Sequence, residues 1–98
     1  MDKYDVYIAP QAYREMDEIY EYIREEFHAP ETAKHLAGLL EEAILSLEDM
    51  PERGAKRRVG YYGDQGYRQL FIKNFTIVYR IENQTVIVIT VRYSQSDF

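Results

Sequence analysis

The chain has 98 residues, no cysteine and a formal net charge of −5, enough for one domain with a modest core and too little for two. The missing thiols exclude disulfides, cysteine nucleophiles and the usual structural zinc sites, and they fit a reducing cytosol. The net charge conceals a division, because residues 1–52 carry fourteen acidic and four basic side chains while residues 53–98 carry three acidic and eight basic.

In chain order, Tyr4-Asp5-Val6-Tyr7-Ile8 alternates and predicts a short opening strand with Tyr4, Val6 and Ile8 on one side. Pro10 then suits the first position of a helix, where its missing N–H costs nothing. Ala12, Met16, Ile19, Tyr20, Ile23 and Phe27 recur at three- and four-residue spacings, and Arg14, Asp17, Glu18, Glu21 and Glu25 occupy the polar side. His28-Ala29-Pro30 interrupts the pattern, since proline disfavours a helical residue before it. A second helix follows, with Ala33, Leu36, Ala37, Leu40, Ile44 and Leu47 on one stripe and a stop at Met50-Pro51. So short a connection makes the two helices antiparallel neighbours.

Pro51-Glu52-Arg53-Gly54 reads as a turn, followed by Lys56-Arg57-Arg58 and a Gly/Tyr-rich loop from Gly60 to Gly66. Three strand patterns close the chain: Tyr67 to Lys73, Phe75 to Ile81, and Thr85 to Gln95. Leu70 and Ile72 share a side of the first, and Phe75, Ile77, Tyr79 and Ile81 share a side of the second. Asn74 and Asn83-Gln84 supply the turns. The last strand is apolar on both faces from Val86 to Val91, as in a strand covered on both sides. The expected fold is α+β, an N-terminal strand and a two-helix antiparallel hairpin packed on a small antiparallel sheet in the order β-α-α-β-β-β, with residues 1–98 as one domain.

Ten tyrosines and no tryptophan suit a thin domain, because tyrosine buries its ring while its hydroxyl reaches water. No stretch approaches the length of a membrane span, and Met1-Asp2-Lys3-Tyr4-Asp5 lacks the basic start and apolar run of a signal peptide. A cytoplasmic protein is expected.

The ordered set of patterns resembles the RelE/ParE superfamily of toxins from bacterial type II toxin–antitoxin modules, and more closely its ParE branch. The resemblance is carried by residues 12–23 in the first helix, Pro30-Glu31-Thr32-Ala33 opening the second, and Leu47 to Gly54 closing it. Tyr67-Arg68-Gln69-Leu70, Asn74 to Ile81 and Val88 to Tyr93 complete it. It implies a toxin held inactive by a cognate antitoxin. RelE-like members cut messenger RNA on the ribosome, and ParE-like members poison DNA gyrase.

Cutting RNA through its 2′-hydroxyl needs a base, an acid for the leaving oxygen and a cation for the phosphorane. Cutting members similar to this chain carry an arginine where Thr76 stands, and some end in Arg-Tyr-His-Tyr where this chain reads Arg92-Tyr93-Ser94-Gln95. Both histidines, His28 and His35, lie in the acidic helical half and read as a helix-end residue and a surface residue. Arg92 and Tyr93 remain as catalytic candidates, yet alternation puts them on opposite sheet faces unless a bulge intervenes. Thr76 and Thr90 read as ordinary strand residues.

The candidates for binding a target or an antitoxin are Lys56, Arg57, Arg58, Arg68 and Arg92, since a surface of one sign concentrates oppositely charged partners. The bland alternative for Lys56-Arg57-Arg58 is a solvated loop, and for Arg68 an ion pair to Glu21 or Glu25. No metal and no cofactor are expected, because the chain has neither a His-x-x-x-His pair nor an Asp-rich loop. Gly63-Asp64-Gln65-Gly66 reads as a turn. The helices are too acidic to read DNA, so nucleic acid, if bound, meets the sheet or the 53–68 loop.

The reading is therefore a toxin that binds and inhibits DNA gyrase and is neutralised by its antitoxin. The alternatives are a ribosome-dependent mRNA endoribonuclease and an inactive relative that only pairs with its antitoxin. An open sheet edge could accept an antitoxin strand or a second copy, giving a homodimer or a heterotetramer.

Overall fold

A computed structural model describes residues 3–95. Strand β1 (Asp5–Ile8) leads into helix α1 (Pro10–Glu26), which is followed by helix α2 (Pro30–Leu45) and a 3-10 turn (Ser46–Glu48). Strands β2 (Ala55–Lys56), β3 (Arg68–Ile72), β4 (Phe75–Glu82) and β5 (Thr85–Tyr93) complete the chain. They form one five-stranded sheet in the order β1-β5-β4-β3-β2. The α+β architecture and its helical hairpin are those expected from the sequence. Among the described residues, no helix is long and apolar enough to cross a membrane.

Pro10 and Pro30 stand at the first turns of the two helices. Ala12 is fully buried, and Met16, Ile19 and Ile23 follow it onto the core, whereas Phe27, at the end of the expected stripe, is 63% exposed. From α2 and the turn after it come Leu36, Leu40, Ala43, Ile44 and Leu47. The opposing sheet face supplies Leu70, Ile77, Tyr79, Val86, Val88 and Val91, with Tyr4, Val6 and Ile8 at its edge. Each fully buried Val, Leu or Ile side chain favours the folded state by about 1.5–3 kcal/mol.

Two details differ from the sequence-based expectation. The sheet is mixed, because β1 runs parallel to β5, from Asp5 beside Thr85 to Ile8 beside Val88. A local alternation pattern fixes the face of a strand but carries no information on the direction of its neighbour. The second detail is β2, whose two residues pair with Arg68 and Gln69 and are too few to show a period.

The hairpin turns are the two-residue pairs Lys73-Asn74 and Asn83-Gln84, with positive φ at Lys73 (55°) and Asn83 (54°). Between β4 and β5 the register slips by one residue, since Val78 faces Thr90 while Tyr79 faces Val88. Ile89 is thus an extra residue in β5. This bulge switches the core-facing series from Val86 and Val88 to Val91 and Tyr93, and leaves Thr90 and Arg92 outside it.

Candidate functional site

The turn between the helices and the sheet is built around Tyr79. Its hydroxyl donates to Pro51 O at 2.7 Å and accepts from Gly54 N at 3.0 Å, with the whole side chain buried. Burial pushes the phenol above its ordinary range, opposed by the Gly54 hydrogen bond and the nearby cations Arg68 and Arg53. Gly54 has no room for a side chain, because a Cβ there would lie 2.5 Å from Gln69 O and 2.6 Å from the Tyr79 hydroxyl. Arg68 secures the same turn by donating from Nη1 to Gly54 O at 2.7 Å.

Past Lys56, the loop is closed at its neck by Arg57. Its N–H donates to Tyr67 O at 2.8 Å, its carbonyl accepts from Asp64 N at 2.9 Å, and its guanidinium donates to Gln69 Oε1 at 2.7 Å. Arg57 is only 7% exposed. Arg58 Nη1 lies 3.4 Å from Asp64 Oδ1. Gly63 crosses so close to Arg58 and Val59 that a Cβ would stand 2.8 Å from their backbone. Three tyrosines stack edge-to-face along the loop, Tyr61 on Tyr62 and Tyr62 on Tyr67, each pair with ring centroids 5.1 Å apart.

These contacts enclose a cleft of about 450 Å³ whose cations are Lys56, Arg57, Arg58 and Arg68, with Glu52 and Asp64 as the acids. Four of the five sequence-derived binding candidates therefore meet in one place. Arg68 does not pair with Glu21 or Glu25, which instead hold Arg24 at 2.6 and 2.8 Å on the helix surface. Lys56-Arg57-Arg58 is not a uniformly solvated run, since its middle residue is built into the fold.

Arg92 stands apart. Its Nε lies 3.3 Å from Glu15 Oε2 and donates to Thr90 Oγ1 at 3.0 Å. Tyr93 packs its ring against Phe75 on the core-facing side, at a centroid distance of 5.8 Å. The bulge at Ile89 precedes both residues and so leaves Arg92 and Tyr93 on opposite faces. Thr76 is 1% exposed, with its hydroxyl 2.8 Å from that of Ser94. His28 connects the helices at φ 50°.

Sequence reasoning passed over Glu15. Its Oε1 accepts from Thr90 Oγ1 at 2.6 Å and from Val91 N at 3.1 Å. The signal was available: Glu15 follows Ala12 by three positions and precedes Ile19 by four, an acid within the apolar stripe.

A larger groove of about 830 Å³ opens between the end of the helical hairpin and the end of the sheet. Its apolar lining is Ile19, Tyr22, Ile23, Phe27, Phe75 and Tyr93. Tyr22 and Phe27 meet edge-to-face at 5.3 Å and are both largely exposed. Among the described residues, no cluster of three His, Asp or Glu side chains could hold a metal ion.

Residues 6–98 match the family described as the ParE toxin of the type II toxin–antitoxin system, parDE. No curated protein matches the sequence. Among solved structures, the fold is similar to the chromosomal ParDE toxin–antitoxin system from P. aeruginosa, with a TM-score of 0.79 and 18% identity over 95% of this chain and 98% of that one. It is also similar to the toxin–antitoxin complex RelBE2 from Mycobacterium tuberculosis, with a TM-score of 0.67 and 17% identity over 93% of this chain and 98% of that one. The YoeB–YefM complex from Staphylococcus aureus gives a TM-score of 0.56 and 15% identity over 93% and 97%. At such identities the likeness is one of fold.

Proposed function

The chain belongs to the ParE toxin family of type II toxin–antitoxin systems, and from that premise we propose that it inhibits a macromolecular target by binding it. The target proposed is DNA gyrase, and the neutralising partner a cognate antitoxin. Residues 1–98 act as one cytoplasmic domain in this reading.

The observation that carries the reading is Thr76. Cutting relatives place an arginine there, whereas here a buried threonine meets the Ser94 hydroxyl at 2.8 Å. A cation introduced at that position would have to lose its hydration inside the sheet. Arg92 is engaged with Glu15, and Tyr93 lies on the other face, so base, acid and cation do not converge there on one phosphate. Lys56, Arg57, Arg58, Arg68 and, separately, Arg92 are the cations proposed to meet the target or the antitoxin. The groove beside Tyr22, Phe27 and Phe75 suits the apolar side of an antitoxin segment. Fold relatives that are toxin–antitoxin complexes support such a partner.

The test is supercoiling by purified gyrase, with the protein alone and then with the antitoxin encoded beside it. Inhibition reversed by antitoxin is the expected result. If a folded protein that still binds antitoxin leaves supercoiling untouched, the gyrase reading is wrong and ribosome-bound mRNA cleavage takes its place.

A further inference from the structure

We propose that the cleft beneath the 57–67 loop is a binding site for a nucleoside phosphate, either a free nucleotide or the 5′-phosphorylated end of a nucleic-acid strand. The phosphate lies between Lys56 and Arg58, and the base rests on the tyrosine series of the loop, which ends in the exposed Tyr61. Binding is a property of the protein alone, so it can stand or fall independently of gyrase inhibition.

Three features point to this chemistry. The first is charge. Lys56, Arg57, Arg58 and Arg68 converge on one cleft against only Glu52 and Asp64, leaving an excess of two positive charges for a phosphate dianion. Asp64 is a weak competitor, since its contact with Arg58 is 3.4 Å long and both side chains are about 70% exposed. A phosphate can displace such a solvated pair at little cost.

The second is rigidity. Arg57 and Arg68 are held in place by Gln69 Oε1 and Gly54 O, and the loop neck by two backbone hydrogen bonds to Arg57. These two guanidiniums give the cleft a fixed positive floor. Lys56, on the exposed edge strand, and Arg58 are the exposed cations within reach of a ligand. A preformed site loses less entropy on binding.

The third is the tyrosine series. Tyr67 lines the cleft, Tyr62 stacks on it, and Tyr61 stacks on Tyr62 with 76% of its surface exposed. Such rings leading away from a phosphate-sized cluster of cations offer a face to a base. The same geometry argues against a long strand tracking across the surface. The cations are gathered in one cleft, while residues 1–52 are rich in acid and repel further phosphates. A cleft of about 450 Å³ matches a single nucleotide. An acidic peptide shares the charge but makes no use of the rings.

The experiment measures binding of two fluorescent probes to the purified protein: mant-ADP, and a short oligonucleotide with a 5′-phosphate and a 3′-fluorescein. Saturable binding of mant-ADP assigns the free nucleotide. Binding of the oligonucleotide alone, lost when its 5′-phosphate is replaced by a hydroxyl, assigns a strand end. In either case Lys56→Ala with Arg58→Ala should weaken binding by at least tenfold while the far-UV circular dichroism is unchanged. Tyr61→Ala should weaken the bound probe but not inorganic pyrophosphate, used as its competitor. The proposal is overturned if neither probe saturates, if the double variant binds as tightly as the parent, or if a poly-glutamate peptide displaces the bound probe more effectively than ADP does.

Discussion

The carboxylate of Glu15 on the first helix lies 2.6 Å from the hydroxyl of Thr90 on the last strand, 75 positions later in the chain. The same oxygen accepts from Val91 N. β1 ends at Ile8 beside Val88, so beyond that point β5 has lost its parallel neighbour. Glu15 therefore takes the place of a backbone carbonyl at an open strand edge and satisfies a donor that would otherwise be buried unpaired.

Glu15→Ala should accordingly destabilise the fold by about 1–3 kcal/mol, because it strands the Val91 N–H and the Thr90 hydroxyl together. Glu15→Gln keeps an acceptor oxygen and should cost less. Urea denaturation of the two variants against the parent checks the order, and equal midpoints for parent and Glu15→Ala would contradict it.

Tyr79→Phe removes the bonds to Pro51 O and Gly54 N from a fully buried site, with an expected loss of about 1–3 kcal/mol at neutral pH. The loss should depend on pH. Burial raises the phenol in the folded state, so the folded protein holds this proton more tightly than the unfolded chain does. Its contribution is complete below the unfolded value of about 10 and declines as the pH rises past it, when the unfolded chain ionises first. The stability gap between parent and Tyr79→Phe should thus narrow above pH ~10. Urea melts at neutral and alkaline pH measure it directly.

Gly54→Ala should also be costly, at about 1–3 kcal/mol by overpacking, since its Cβ meets Gln69 O and the Tyr79 hydroxyl at distances no methyl group tolerates. Gly38, where a Cβ meets nothing within 4 Å, is the control. Gly38→Ala sits inside α2 and should be neutral or stabilising by up to about 1 kcal/mol. Thermal melts of the pair separate crowding from a general intolerance of alanine.

Charge reversal in the cleft must respect the fold. Arg57 is nearly buried against Gln69 and Arg68 holds Gly54, so reversal of either should destabilise the fold as well as discharge the surface. Lys56→Glu with Arg58→Glu leaves those contacts intact. This pair is expected to weaken toxicity or antitoxin affinity with the melting transition preserved, and growth assays beside antitoxin pull-downs read both effects. Full potency in both assays would remove the cleft from the proposed interface.

Tyr93→Phe gives a sharp contrast between binding and chemistry. A toxin that acts by binding loses one hydroxyl from a ring packed on Phe75 and should remain nearly as toxic. A drop of ~100-fold with the fold intact would instead assign proton transfer to the phenol.

Much of this architecture was legible in the sequence because it rests on periodicity. The stripe from Ala12 to Ile23, the alternation from Phe75 to Ile81 and the prolines at 10 and 30 each specify an element locally, and the structure places them as that pattern requires. The gathering of Lys56, Arg58 and Arg68 was legible only as a shared charge. Their convergence depends on Arg57 closing the loop onto Tyr67, a backbone pairing that leaves no trace in residue order. Glu15 and Tyr79 were missed as polar organisers for a related reason. Their partners, Thr90 and Pro51, lie far along the chain, so the place of Glu15 within the apolar stripe marks it as unusual without naming what it meets, and Tyr79 looks like any other core aromatic.

The pairing of Asp5 with Thr85 also sets a timetable. The first strand described in the chain has the last one as its neighbour, and α1 waits for the same segment to supply Thr90 and Val91. Contacts so distant in sequence form late, because the intervening chain must be closed before they repay its entropy. A chain truncated before residue 85 should therefore be readily digested by protease, and the released chain that carries β5 should resist. On this schedule a chain that lacks β5 has neither the β1 edge nor the Glu15 contact that completes the fold.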